Sequence, residues 1–250
     1  MNSQNLDKYH IILASQSPRR REILSRMGLP FTVLPASDRE ITEETEPARI
    51  VEALSSHKAA EVYEKLRQAE RGGSATASMP SPEGSSADHF RSGETAPLFV
   101  IGADTVVVID GQILGKPEDP EDAARMLGLL SGRSHSVLTG VTLIREESDG
   151  SRMHIFHEET QVFFRELREE EIAAYIASGE PMDKAGSYGI QGFGGAFVEH
   201  IAGDYDNVVG FPYARFLRES EAFLNPGGRK TNSQDQMDDL SEGDSHASDL

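Results

Sequence analysis

The sequence predicts a fold of the α/β class, or of the related α+β class, because short apolar runs typical of strands alternate with segments of helical period. Its 250 residues, 37% of them hydrophobic, are enough to bury a core. The chain has no cysteine, which excludes a small fold held together by disulfides. We expect an elongated mixed central sheet with flanking helices, arranged as two lobes around a cleft.

The first part of the chain contains clear strand and helix signals. The apolar run HIILA at 10–14 is typical of a buried strand. Ser17 followed by Pro18 is typical of a helix start, so we expect a helix from Pro18 to Met27 with a stop at Gly28. A strand is predicted at 31–34. A long helix is predicted at 47–68, because its apolar side chains recur at helical spacing.

The second part begins with an apolar run, 98–109, that is interrupted by Gly102-Ala103-Asp104-Thr105. The dipeptide Asp110-Gly111 that follows is a strong hairpin-turn signal. Further strands are expected at 137–144, 155–164 and 196–201, and helices at 120–130, 169–177 and 207–223, the last broken at 210–212.

Two segments have the composition of disordered chain. Residues 71–97 contain four Gly, three Pro and six Ser, too little apolar surface to offset the entropy of ordering. Residues 226–250 carry two basic and six acidic side chains, a composition that predicts a disordered acidic tail. We therefore expect one folded domain over 9–225, with 71–97 as an inserted loop.

The formal net charge is −18, which disfavours binding to nucleic acids and to anionic membrane surfaces. No run approaches the roughly 20 apolar residues of a membrane helix, and the first residues lack the features of a signal peptide. We expect a cytoplasmic protein without a nucleic-acid or membrane partner. An anionic ligand would have to be bound by a local group of cations.

The sequence Ser15-Gln16-Ser17-Pro18-Arg19-Arg20 lies between a predicted strand and a predicted helix. Unpaired backbone N–H groups at a helix start, with hydroxyl and guanidinium groups beside them, can bind a phosphate. The alternative is a capped surface helix with solvated arginines. Cations are unfavourable at this end of a helix unless an anion joins them, which favours the phosphate interpretation.

Asp104 is a single acid within an apolar run, and Lys116 lies between Gly115 and Pro117. A buried carboxylate without a partner is costly, so we expect Asp104 at a strand end, facing a cation or a cleft. The alternatives are an acid that caps a turn or pairs with a structural arginine, and an ordinary surface lysine.

The segment 183–195, DKAGSYGIQGFGG, contains five glycines and Gln191. Glycines let the backbone approach a ligand closely, and the Gln191 amide could contact a base edge; a glycine-rich structural loop is the alternative. Neither a dinucleotide fingerprint nor a Walker P-loop is present. His154 and His157 should point to opposite faces of a strand, which argues against a metal pair.

Five separated motifs resemble, in order, those of the Maf family of nucleoside triphosphate pyrophosphatases. The resemblance covers about residues 10–220, apart from the inserted loop, and is carried by LASQSPRRREIL, GADTVVVIDGQILGKP, LSGRSHSVLTGV, DKAGSYGIQGFGG and NVVGFP.

The resemblance implies a function and a set of site residues. It implies hydrolysis of dTTP and UTP to the monophosphate and pyrophosphate with Mg²⁺, or Mn²⁺ in its place, and a homodimer. The catalytic residues would be Asp104 as proton acceptor, Lys58, Lys116 and Glu40; the substrate-binding residues Ser15, Ser17, Arg19, Arg20, Thr105 and Gln191; and the metal ligands Asp104 and Glu40.

One position departs from the family pattern. The usual Asp-Glu pair is here Asp38-Arg39-Glu40, so Glu40 is the expected equivalent of the family's acidic position, within one or two residues. Two other functions stay open: a related pyrophosphatase for modified or non-standard purine nucleotides, and a non-catalytic nucleotide-binding regulator of cell division or septum formation.

Overall fold

The computed structural model describes residues 5–37, 41–71 and 96–225, in which one seven-stranded sheet is flanked by helices. The strands are β1 (His10–Leu13), β2 (Thr32–Val33), β3 (Leu98–Ile109), β4 (Gln112–Leu114), β5 (Ser134–Glu147), β6 (Gly150–Phe164) and β7 (Val198–Ala202). The α-helices are α1 (Pro18–Ser25), α2 (Pro47–Arg71), α3 (Pro120–Leu130), α4 (Glu169–Ala177), α5 (Tyr205–Val209) and α6 (Tyr213–Leu224).

The sheet is mixed, as the sequence predicts. Its order is β2-β1-β3-β5-β6-β7, and β4 pairs with β3 outside this path. β1 runs parallel to β2 and β3, whereas β3, β5, β6 and β7 are joined by antiparallel pairs. The α/β class is therefore confirmed; the arrangement as two lobes around a cleft stays a prediction.

Local sequence signals set several element ends as expected. The Ser17 side chain accepts a hydrogen bond from the backbone N–H of Arg20 at 3.4 Å and caps α1. The turn between β3 and β4 places Asp110 and Gly111 at φ +51° and +74°, the left-handed conformation that a two-residue hairpin loop requires. The predicted break of the last helix is confirmed, since Gly210 to Pro212 separate α5 from α6.

The prediction that residues 102–105 interrupt the strand is wrong, because β3 continues through these residues. The irregularity lies instead at one edge of the strand. β1 pairs with β3 over Leu98–Ile101 and β4 pairs with it over Val107–Ile109. Among the described strands none pairs with this edge at 102–106, so Asp104 lies in the middle of its strand beside a gap in the sheet.

Two apolar clusters lie along one face of the sheet. One involves β1, α1 and α6 and includes Ile101 and Ala103; the other involves α3 and α4 and includes Val107. Because alternate residues of a strand face the same side, Thr105 lies on this face between the two clusters. The opposite face packs against α2.

Several predictions fall outside the described residues: Glu40, the larger part of the 71–97 loop and the acidic tail 226–250. In the described part of the chain, no helix combines the length and apolar character needed to span a bilayer.

Candidate active site

Asp104 and Lys58 form an ion pair on the face of the sheet that α2 covers. The Lys58 ammonium donates a hydrogen bond to Oδ1 of Asp104 at 2.6 Å. Asp104 is 6% exposed, and a carboxyl group so deeply buried needs a compensating partner. The predicted cation is therefore present, although the predicted strand end is not. The Oδ2 oxygen accepts no hydrogen bond from the residues that the structure describes.

Two glycines bring α2 close enough to the sheet for this pair to form. A Cβ atom on Gly102 would lie 2.3 Å from the carbonyl oxygen of Ser55, and one on Gly140 would lie 2.2 Å from that of Val51. Any larger residue would push the helix backbone away from β3 and β5. These glycines therefore help to set the position of Lys58.

Arg20 connects three elements on the opposite face. Its Nη2 donates to the Thr105 hydroxyl at 3.0 Å, its Nη1 to the Ser15 hydroxyl at 3.2 Å and its Nε to the carbonyl of Gly210 at 2.9 Å. The Ser15 hydroxyl also accepts from the backbone N–H of Ser17 at 3.2 Å. The start of α1 is thus fixed to β3 and to the turn between α5 and α6.

A chain of polar contacts continues from Thr105 into β5 and α5. The hydroxyls of Thr105 and Thr139 lie 2.9 Å apart, and Thr139 donates to the carbonyl of Asn207 at 3.2 Å. The Asn207 amide donates to the carbonyl of Val137 and to the hydroxyl of Thr160, each at 3.0 Å. Residue-level reasoning did not single out Thr139 or Asn207; their only signal is membership of the motifs LSGRSHSVLTGV and NVVGFP.

Two contacts bring the glycine-rich segment to the other predicted site residues. Arg19 at the start of α1 forms an ion pair with Asp183 at 3.5 Å. The backbone N–H of Gly186 donates to the carbonyl of Gly115 at 3.0 Å, which places exposed Lys116 next to this segment. The start of α1, the loop after β4 and the glycine-rich segment therefore adjoin one another.

The Arg19–Asp183 pair is accessible to a ligand. Burial raises the pKa of Asp183, but the hydrogen bond from Lys184 and the charges of Lys184 and Arg19 outweigh it, so the pKa lies below its ordinary value. The Asp183 side chain is 66% exposed, and an exposed ion pair contributes little stability. An anionic ligand could therefore replace Asp183 as the partner of Arg19 at low cost.

Several of the predicted site residues lie in two groups, one on each face of the sheet. Asp104 and Lys58 lie on one face of the sheet, and Thr105 with its polar contacts lies on the other. Gln191 is exposed, and its side chain makes no hydrogen bond within the described residues. Sequence reasoning also missed Glu180, whose carboxylate binds the glycine-rich backbone, because no motif marks it.

The two histidines of β6 face opposite sides of the sheet, which confirms that prediction. His154 contacts Glu219 of α6 and His157 contacts Glu52 of α2, each at 2.8 Å. Within the described ranges no three His, Asp or Glu side chains are grouped as a metal site.

Asp104 supplies one ligand of the chemical type that Mg²⁺ prefers. Mg²⁺ is commonly held by one or two carboxylates together with substrate phosphates and water. Asp104 supplies one carboxylate with an oxygen that Lys58 does not occupy. Glu40, the second expected ligand, is not among the described residues.

Comparisons with known proteins agree with the motif resemblance. A family model described as Maf-like protein matches residues 10–223. A protein of Agathobacter rectalis named dTTP/UTP pyrophosphatase is 48% identical over 210 residues, which cover 84% of this chain and 95% of the relative. Proteins of the same name from Bacillus cytotoxicus and Symbiobacterium thermophilum are 45% and 43% identical, over 85% and 86% of this chain and 94% and 95% of their own lengths. The family resemblance is confirmed: the chain belongs to the Maf family.

Proposed function

We propose that this protein hydrolyses dTTP and UTP to the nucleoside monophosphate and pyrophosphate, and so removes these nucleotides from the cellular pool. The observation that carries the proposal is the buried Asp104–Lys58 pair beside the gap in the sheet. A protein that only binds a polyanion gains nothing from a carboxylate at its centre. The names of the relatives supply the substrate class.

In the proposed reaction, Asp104 takes a proton from a water molecule that attacks the α-phosphorus. A bond forms between the water oxygen and this phosphorus, and the bond from the α-phosphorus to the bridging oxygen breaks. Pyrophosphate leaves with the electron pair. Lys58, Lys116, Arg19 and Arg20 hold the phosphates and offset the charge that accumulates on the leaving group. Ser15 and Ser17 provide hydroxyl groups at the start of α1.

We propose that Asp104 and Glu40 hold Mg²⁺, or Mn²⁺ in its place. When bound, the ion neutralises phosphate charge that would otherwise repel the nucleophile. Carboxylate and phosphate oxygens are the ligands that these ions prefer. Removal of divalent metal with EDTA should abolish turnover, and added Mg²⁺ should restore it.

Selectivity for thymine and uracil is assigned to Gln191, with Arg19 and Thr105 contributing. An amide offers one donor and one acceptor to a base edge, and a mismatched base leaves buried polar groups unpaired. We also propose a homodimer, which rests on the family resemblance, and a cytoplasmic location.

The test is product analysis over a panel of nucleoside triphosphates with Mg²⁺, using the wild type and Asp104→Asn. The wild type should release pyrophosphate and monophosphate fastest from dTTP and UTP. The variant should lose pyrophosphate release while its nucleotide affinity, measured by calorimetry, stays equal or improves, because a repulsive charge is gone.

Other outcomes would contradict the proposal in distinct ways. Faster turnover of 7-methyl-GTP or ITP would indicate a purine-directed enzyme. Binding without turnover of any triphosphate would indicate a regulator. Unchanged turnover by Asp104→Asn would remove this residue from the mechanism.

A further inference from the structure

The exposed side chain of Gln191 is carried by a backbone that is held on both sides. Gly189 precedes it by two residues, and Phe193 and Gly194 follow it closely. Backbone N–H groups of all three point to two side chains of the neighbouring α4 region, Tyr175 and Glu180. The loop that presents Gln191 is therefore fixed by side chains outside it.

Glu180 binds the residues that follow Gln191. Its Oε2 accepts the backbone N–H of Phe193 at 3.0 Å, and its Oε1 accepts that of Gly194 at 3.4 Å. Hydrogen bonds to a charged acceptor are stronger than those between neutral groups. One carboxylate thus fixes two consecutive amides of the loop.

Tyr175 binds the residue before Gln191 and connects it to Glu180. Its hydroxyl accepts the backbone N–H of Gly189 at 3.2 Å and donates to Oε1 of Glu180 at 2.9 Å. The ring is buried and packs edge-on against Phe197 with centroids 5.0 Å apart. Burial raises the pKa of Tyr175, so the hydroxyl keeps its proton and remains a donor at neutral pH.

The glycines show how closely the loop fits these two side chains. A Cβ atom on Gly192 would lie 2.2 Å from Oε1 of Glu180, and one on Gly194 would lie 2.7 Å from the Tyr175 hydroxyl. The loop can reach the carboxylate and the phenol only because glycine stands at both positions. The glycine-rich composition here serves contacts within the protein.

We infer that Glu180, together with Tyr175, is a positioning residue that fixes the loop around Gln191 and thereby determines selectivity among nucleobases. The Gln191 carboxamide can present its donor and its acceptor to a base edge only where the backbone places it, so its ability to distinguish bases depends on how firmly this loop is held. Ordering a loop on binding also costs affinity, and a loop that is already ordered avoids this cost. This inference rests on the proposed pyrimidine nucleotide substrate.

The first experiment replaces Glu180 by Gln, which keeps the side-chain size but offers only one acceptor oxygen. The KM for UTP should rise about tenfold, the scale of one lost hydrogen bond to a charged group, while kcat changes less than about twofold. The preference for UTP over CTP and GTP, measured as ratios of kcat/KM, should fall. Amide hydrogen exchange at Phe193 and Gly194 should accelerate.

Glu199→Gln is the matched control, because Glu199 is an exposed glutamate on β7 that lies outside this cluster. It should leave KM, the nucleobase ratios and the two exchange rates unchanged. If Glu180→Gln does not fold, Tyr175→Phe replaces it; this variant loses the acceptor for Gly189 and the donor to Glu180 and should shift the same quantities. Unchanged ratios in a folded variant would overturn the inference.

A second experiment asks whether Glu180 acts through Gln191. Gln191→Ala should reduce nucleobase selectivity by itself, and adding Glu180→Gln should then change the ratios little further. Additive losses of selectivity would show that Glu180 acts independently of Gln191. That result would overturn the inference but leave the proposed base contact of Gln191 in place. An unchanged ratio in Gln191→Ala would overturn both the inference and the proposed base contact, while product analysis would still test the pyrophosphatase reaction separately.

Discussion

At the scale of single residues, His135 is the clearest buried titratable group. It is 2% exposed, its Nε2 lies 2.8 Å from the Tyr188 hydroxyl, and its ring packs edge-on against Phe164. Burial lowers the pKa of His135 to about 4 from an ordinary value of 6.5. The folded protein therefore holds this side chain neutral at a pH where the unfolded chain would protonate it.

This difference predicts a loss of stability as pH falls from about 6.5 to about 4. The unfolded state binds the proton first, so the contribution is present above about pH 6.5 and disappears toward pH 4. Between pH 7 and pH 5 the free energy of unfolding should fall by about 2 kcal/mol through this residue. Urea titrations of the wild type and His135→Gln would measure it; equal pH dependence in both would contradict the assignment.

Residues at the site differ in how far the sequence could predict them. Asp104 could be recognised because an acid in an apolar run needs a partner, and Lys58 provides it. Its position in mid-strand could not be predicted, because the gap beside it arises from where β1 ends and β4 begins. Glu180 gave no local signal, since only the fold brings it to Phe193.

At the scale of elements, strong local signals gave correct predictions. Ser17-Pro18 began α1, and Asp110-Gly111 formed the turn between β3 and β4. The strands predicted at 137–144 and 155–164 pair as expected, but extend to Ser134–Glu147 and Gly150–Phe164. Cross-strand pairing stabilises their polar ends, and a single-chain hydrophobic pattern does not record that contribution.

The contact between α2 and the sheet predicts the effect of Gly140→Ala. The added methyl would meet the carbonyl of Val51, so α2 must move, at a cost of about 3 kcal/mol in unfolding free energy. Activity should fall as well, because α2 carries Lys58. Denaturant unfolding and steady-state turnover of dTTP would measure the two effects.

Gly128→Ala is the control for this substitution. Gly128 lies within α3, and a Cβ atom there has no neighbour within 4 Å. Alanine should stabilise that helix by about 0.5–1 kcal/mol and leave turnover unchanged. If Gly140→Ala behaves like Gly128→Ala, the close approach of α2 does not position Lys58.

At the scale of the whole molecule, the end of α6 is fixed to the sheet. Arg145 of β5 donates to the carbonyls of Phe223 and Leu224 at 3.1 and 3.4 Å, and His154 stacks on the Phe223 ring. The match to the Maf family also ends at residue 223. Both observations concern the last described residues, and the domain end expected at residue 225 stays a prediction.

A chain that stops after Asn225 should therefore keep the stability and turnover of the full protein. The deletion removes two basic and six acidic residues and changes the net charge from −18 to −14. Distant charges are screened at physiological salt, so KM should change by less than about twofold.

A chain that stops after Arg218 should unfold at a lower temperature, because it also loses Phe223 and its contacts with Arg145 and His154. Thermal unfolding and dTTP turnover should be measured for both truncated chains. Equal behaviour of the two would contradict the predicted domain end at residue 225. Loss of activity in the longer chain would give the acidic segment a role in catalysis.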